Sequence, residues 1–254
     1  MTEIEDPYCD SQLAILSSII DVEHKEVLSI GQDCYSRLCS RLSGVEYEAR
    51  SSEEAMYALC ARVLELSAFA LHCARFGSVP SAKILTRSIL EASYKVCALQ
   101  RDAKNLDQLV SDDSASRLRL NKMIHEYKKD KGAKHIAKGI EKKIDELAAL
   151  KATKIDPSAW ADLAGMTDFH RLFYPWLCSD THTNVAALDH YFAEERDYAL
   201  EIGPGDDDLP MTIMIFSRCL VVVLKTLEAS PDEAKSDWYA SIEARLMAHE
   251  KQGR

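Results

Sequence analysis

Glycine and proline are scarce in this chain, at 9 and 7 of its 254 residues. Their scarcity argues against a protein built from many tight turns, because turns depend on both residues. Ala, Leu, Glu and Lys, which favour helices, fill most sequence windows instead. We therefore predict an all-α fold, a single helical bundle of about eight or nine helices over residues 1–254, because no repeat, low-complexity tract or clear linker divides the chain.

Motifs of the common metal and nucleotide sites are also missing. Eight cysteines occur, but no two of them form a Cys-x-x-Cys pair, so neither a zinc knuckle nor a redox dithiol is indicated. There is no glycine-rich phosphate loop and no Gly-x-Ser-x-Gly elbow. The acidic run at residues 206–208 fits the first turn of a helix. We therefore expect no metal and no cofactor.

The chain also lacks an apolar run long enough for an evident membrane span. Its most apolar stretch, "MTIMIFSRCLVVVLKTL", contains Ser217 and Arg218 and reaches Lys225 before the roughly 20 apolar residues that a bilayer requires. It predicts a buried helix. The opening residues are polar and acidic, unlike a signal peptide. We therefore predict a reduced, cytoplasmic environment and no membrane partner.

The charge of the chain is −10 and is unevenly spread. Residues 122–154 carry ten lysines against five acids, a local charge of +5, so the remainder carries −15. We predict a lysine-rich helical hairpin at about residues 104–154. Such a segment is either a solvated face or a surface for a partner, and Lys128 and Lys129 are candidates to contact an RNA backbone.

Apolar periodicity and helix caps predict most helix positions. We expect an opening helix over residues 11–42 with a break near Gly31, a second helix that begins at a capping box of Ser51 and Glu54, and a third that begins at Pro80. The second helix is predicted to bury Leu59, Val63, Leu66 and Phe69. Further helices are predicted over residues 104–129, 133–151, 158–163, 167–175 and 211–228, with a last one at the C-terminal end.

The third helix carries a line of charges within the stretch "ILTRSILEASYK". Lys83, Arg87, Glu91 and Lys95 recur every four residues, and Tyr94 lies beside them. One interpretation is a solvated stripe of alternating charges. The other is that Arg87 and Glu91 line a cleft, because the rest of this helix is apolar on most sides and such a helix is central in its bundle.

A second candidate is "LCSDTHTNV", which follows the apolar run "LFYPWL". Ser179, Asp180 or Thr183 fits the cap of a helix that starts near Asn184. A capping role does not account for His182, whose imidazole suits general acid–base chemistry, with Asp180 raising its basicity. Both interpretations of this segment, a helix cap and a catalytic loop, therefore remain open.

The pairing of "RSILEA" with a downstream "SDTH", preceded by "AGMTDFHRLFYPWL", resembles a bacterial helical family of uncharacterised function over about residues 55–195. That family has Arg-Ser-x-x-Glu on one helix and Ser-x-x-His after a later one. It is distantly similar to HEPN-type domains (higher eukaryotes and prokaryotes nucleotide-binding), many of which are metal-independent ribonucleases of toxin–antitoxin and phage-defence systems. The resemblance implies a site at Arg87, Glu91, Ser179 and His182.

Two functions follow from this resemblance. In an RNase, His182 moves the proton of a 2′-hydroxyl, Arg87 neutralises the developing charge and Glu91 orients Arg87. HEPN nucleases, however, carry Arg and His on one helix with four to six residues between them. In this chain Arg119 and His125 alone fit that spacing, and about one such match is expected by chance.

The alternative is a non-catalytic interaction or accessory module of a defence system. In that function the Arg87–Glu91 pair is structural, and the chain forms a homo-oligomer through its apolar helix at residues 211–227 and its last helix. An open cleft that contains Arg87 and His182 favours chemistry, whereas a closed, fully bonded network favours a structural role.

Overall fold

The computed structural model describes residues 9–131, 134–179, 208–228 and 236–252. Within them the regular structure is entirely helical, which confirms the all-α prediction, although ten helices are present where eight or nine were expected. The helices are α1 (Asp10–Glu23), α2 (Lys25–Leu42), α3 (Ser52–Arg75), α4 (Val79–Arg101), α5 (Asn105–Asp130), α6 (Lys134–Ala149), α7 (Pro157–Ala164), α8 (Thr167–Cys178), α9 (Leu209–Leu227) and α10 (Asp237–Gln252).

The opening helix breaks at His24, and the prediction of a break at Gly31 was wrong. His24 leaves the helical region with φ −109° and ψ 20°, which ends α1 and begins α2. Gly31 lies buried inside α2, where a Cβ atom would come 3.1 Å from side-chain atoms of both Leu71 and Phe216. The glycine therefore serves close packing of α2 against α3 and α9, rather than a turn.

Helix α3 begins at the predicted cap. The Ser51 hydroxyl accepts a hydrogen bond from the Glu54 N–H at 3.0 Å, and the Glu54 carboxylate accepts one from the Arg50 N–H. The predicted stripe was only partly right, because Val63 is fully buried whereas Phe69 is 57% exposed. After Leu66, the face that packs on the rest of the bundle is formed by Ser67, Ala70, Leu71 and Ala74, which are all buried.

Helix α4 is the central helix of the described core, as its apolar circumference predicts. It contacts α3, α9, α7 and α8, and thirteen of its residues are buried. Pro80 lies in its first turn. The charged line along this helix therefore passes between neighbouring helices and is not a simple solvent-facing stripe.

Helix α8 runs through Pro175 and ends at Cys178, so the prediction that this helix stops at Pro175 was wrong. A proline inside a helix removes one backbone hydrogen bond and costs about 3 kcal/mol. Tertiary contacts offset that cost here, because Leu177 beyond the proline is fully buried and Tyr174 before it bonds to α4.

Helices α3 and α9 are each long and apolar enough to cross a membrane, by length and composition alone. Within the most apolar 18-residue window of each helix, 39% of the window is buried in α3 and 67% in α9. Thirteen of the nineteen residues of α9 are buried, which agrees with the prediction of a buried helix at this stretch.

Candidate functional site

Three side chains form a closed ring of hydrogen bonds between α4 and α8. Arg87 Nε donates to Glu91 Oε1 at 3.1 Å, one helical turn along α4. Arg87 also donates from Nη2 to the Tyr174 hydroxyl at 3.0 Å, and that hydroxyl donates to Glu91 Oε1 at 2.8 Å. The guanidinium carbon of Arg87 lies 5.1 Å from the centre of the Tyr174 ring. We call Arg87, Glu91 and Tyr174 the polar ring.

The polar ring fixes the protonation of Arg87 and Tyr174. Burial lowers the pKa of Arg87, but the hydrogen bond that Arg87 donates to Tyr174 and the negative charge of Glu91 outweigh burial, so its pKa lies above the usual value. Burial and the neighbouring Glu91 carboxylate raise the pKa of Tyr174 to about 12. The tyrosine therefore stays protonated at neutral pH and donates to Glu91, while Arg87 stays charged.

His170 and Tyr94 extend the polar ring by aromatic contacts. The His170 ring stacks on Tyr174, with centroids 4.5 Å apart and an interplanar angle of 22°. The Tyr94 hydroxyl lies 3.3 Å from His170 Nδ1, and the Tyr94 side chain is fully buried. Burial lowers the pKa of His170, although Asp162 and Glu91 oppose it. Neutral His170 thus packs as a ring and orients Tyr174.

A cavity of about 390 Å³ opens beside the polar ring. It lies between α4, α5, α7, α8 and the connector that precedes α7. Its basic lining residues are Arg87, Lys95 and Lys154, and its acidic ones are Glu91, Asp112 and Asp156. Its size is at the lower end of the range of small-molecule sites, about 300–1,000 Å³.

Part of that lining is already committed to internal bonds. Lys95 Nζ lies 3.4 Å from Asp112 Oδ2, and the other Asp112 oxygen accepts a hydrogen bond from the Ile155 N–H at 3.1 Å. Lys154 makes no ion pair with any residue that the structure describes. Arg87, 24% exposed, and Lys154 are therefore the cations best placed to meet an anion in the cavity.

Residues 53–199 match a family of unknown function, DUF5677. The matched segment is more than half of the chain. The chain belongs to this family. No curated protein and no solved structure matches it. The segment that DUF5677 covers begins in α3 and includes all of α4 and α8, and therefore the polar ring, His170 and the cavity.

In this DUF5677 chain, Lys83 ties the end of α8 to the start of α9. Its side chain is 2% exposed, and its Nζ lies 3.2 Å from Asp208 Oδ2 and 3.4 Å from Ser179 Oγ. The same ammonium lies 4.0 Å from the centre of the Trp176 ring. Ser179 also donates to the Trp176 carbonyl at 2.7 Å. Ser179 is therefore a structural partner of Lys83 at the C-terminal cap of α8.

The residues predicted from sequence are found in different places. Arg87, Glu91 and Tyr94 meet at the polar ring and its cavity. Lys128 and Lys129 lie near the C-terminal end of α5, about 24 Å along that helix from the cavity residue Asp112. His182 and Asp180 lie outside the described residues.

Tyr174, His170 and Lys83 were not predicted as site residues from the sequence. The signal that could have found Tyr174 and His170 is their spacing of four in "HRLFYPWL", which stacks the two rings on one helical face. Arg119 and His125, the pair that fits the HEPN spacing, do not line the cavity. His125 Nε2 lies 3.1 Å from Glu141 of α6 instead.

Proposed function

We propose that this DUF5677 protein is a HEPN-like helical protein of a bacterial defence or toxin-type system that cleaves RNA without a metal in the cytoplasm. The observation that carries the proposal is an arginine held by Glu91 and Tyr174 at the edge of a cavity. Arg87 keeps its charge, is 24% exposed and is oriented by Glu91 and Tyr174. Such a fixed guanidinium suits the stabilisation of charge on a phosphorane.

The proposed reaction is the attack of a 2′-hydroxyl on its own phosphodiester. His182 takes the hydroxyl proton, the bond from O2′ to phosphorus forms, the bond to O5′ breaks, and the departing oxygen takes up a proton. Arg87 stabilises the negative charge that develops on the non-bridging oxygens of the phosphorane, while Glu91 and Tyr174 keep the guanidinium in place. The products are a 2′,3′-cyclic phosphate and a 5′-hydroxyl.

The volume and charges around the ring support a single-stranded substrate. A cavity of about 390 Å³ is sized for one nucleotide rather than for a duplex. Lys154 at its lining can meet a phosphate, and Lys128 and Lys129 on α5 can hold the RNA backbone further away.

Cleavage of total RNA and tRNA in excess EDTA tests the proposal. We expect wild type to cleave, and Arg87→Ala and His182→Ala to lose the activity. Arg117→Ala is the matched control, because Arg117 pairs with Asp113 at i and i+4 as Arg87 does with Glu91, but on the exposed face of α5. No cleavage by wild type, or equal loss in Arg117→Ala, contradicts the proposal.

A second function is favoured by the closure of the polar ring. Each of its three members bonds to the other two, as a structural link between α4 and α8 would require. In this case the protein is a non-catalytic interaction or accessory module. It predicts that Arg87→Ala lowers the melting temperature and that wild type cleaves no RNA.

A further inference from the structure

The second half of α5 extends beyond the buried core. Its buried residues are Asn105, Asp112 and Ser114, all in the first half of the helix. Further along, α6 packs against it, and His125 bonds to Glu141 of α6 at 3.1 Å. One face of this half of α5 is therefore directed to α6.

The other face of the same half carries large apolar side chains that are exposed. They recur at positions i, i+3, i+4 and i+7, so they form one stripe, centred about 150° around the helix from His125. Their exposed fractions are 56% for Leu120, 61% for Met123, 37% for Ile124 and 59% for Tyr127. A contiguous apolar stripe of this kind marks an interaction surface more often than single exposed residues do.

The charge around this stripe restricts its partner. Residues 117–131 contain six Lys or Arg and two Asp or Glu, a net charge of 6 − 2 = +4. Two copies of α5 would therefore repel each other, and the complementary surface is an acidic helix with its own apolar stripe.

Helix α1 of this same chain has those properties. It contains three acids and no Lys or Arg between Asp10 and Glu23. Ile20 on its inner face is fully buried, so the helix is anchored to the bundle. Its outer face exposes apolar residues at i, i+4 and i+7, namely Ile15 at 57%, Ile19 at 44% and Val22 at 76%.

We infer that α1 of one copy docks on the outer face of α5 of a second copy. Both stripes are exposed within a single chain, so they do not cover each other there. The contact joins two different surfaces, which makes it heterologous and allows a ring or an open chain of copies. Because one pair of helix faces is a small interface, we expect association at micromolar concentration. The interface is independent of the proposed RNase activity.

Sedimentation velocity over a range of concentrations tests this interface. The α1 variant is Ile15→Lys with Val22→Lys, and the α5 variant is Leu120→Lys with Tyr127→Lys. We expect wild type to form assemblies that grow with concentration and weaken with salt, and each variant alone to be monomeric. An equimolar mixture of the two variants should form a heterodimer and nothing larger, because one intact α1 and one intact α5 remain between them.

Met247→Lys is the matched control, because Met247 is 54% exposed on α10 and lies on neither stripe. It should assemble like wild type, and circular dichroism should give the same helicity for all variants. A monomeric wild type overturns the inference, and so does assembly that either variant leaves intact. A mixture that stays monomeric while wild type assembles also overturns it, because one intact α1 face and one intact α5 face should then be enough to form the contact.

Discussion

Tyr174→Phe removes one hydroxyl and leaves the stacked ring in place, so it isolates the hydrogen bonds of the polar ring. Two bonds are lost, one from Arg87 at 3.0 Å and one to Glu91 at 2.8 Å. Hydrogen bonds to charged groups contribute about 1.5–3 kcal/mol each. Arg87 and Glu91 are 24% and 36% exposed, so water replaces part of each bond. We therefore expect a total loss of about 1–2 kcal/mol.

Urea unfolding at pH 7, followed by circular dichroism, measures this loss directly. In thermal melts it corresponds to about 2–8 °C for a chain of this size. Tyr47→Phe is the matched control, because Tyr47 is 51% exposed and stacks on Tyr57 without a hydroxyl bond among the described residues. A Tyr174→Phe protein as stable as this control would refute the argument that the ring stabilises the contact of α4 with α8.

Burial lowers the pKa of His170 in the folded protein below its usual value of 6.5. At a pH between this lowered pKa and 6.5, the unfolded chain therefore binds more protons than the folded one. Wild type should lose stability as the pH falls through that window, and His170→Phe should lose less, as urea midpoints at pH 7 and pH 5 will reveal. Lys83→Met should lower the free energy of unfolding, measured in urea, by about 1–3 kcal/mol, because the ion pair with Asp208 is lost. The loss is no larger because Asp208 is 40% exposed and water can replace the ammonium. Lys225→Met, at an exposed ion pair, should lower it by less. Gly31→Val should lower the free energy of unfolding by about 1–3 kcal/mol, and with it the melting temperature, because the larger side chain overpacks the core. An unchanged melting temperature would contradict the close packing of α2.

Local signals in the sequence predicted most helices of the fold. The cap at Ser51 and the proline in the first turn of α4 depend on neighbouring residues, and both were correctly predicted. The errors at Gly31 and Pro175 have a tertiary origin. Gly31 is accommodated by its packing against Phe216, and α8 continues past Pro175 because Leu177 is buried.

The candidate site was predictable only along α4. Arg87 and Glu91 are one turn apart, so their spacing already places them together. Tyr174 is 83 positions from Glu91 in the chain, and only the packing of α8 on α4 brings their oxygens to 2.8 Å. The same holds for Lys83, whose partner Asp208 is 125 positions away in the chain.

Chemical rescue of Arg87→Ala tests most directly whether Arg87 acts on the reacting phosphate. The assay is single-turnover cleavage of a short RNA in EDTA, at a temperature at which wild type and variant are both folded. We predict that the variant loses about 100-fold or more in rate, and that guanidinium below denaturing concentrations restores cleavage with 2′,3′-cyclic phosphate ends, whereas sodium at equal ionic strength does not. A wild type that cleaves no RNA, or an Arg87→Ala variant that cleaves at the wild-type rate, would contradict the account.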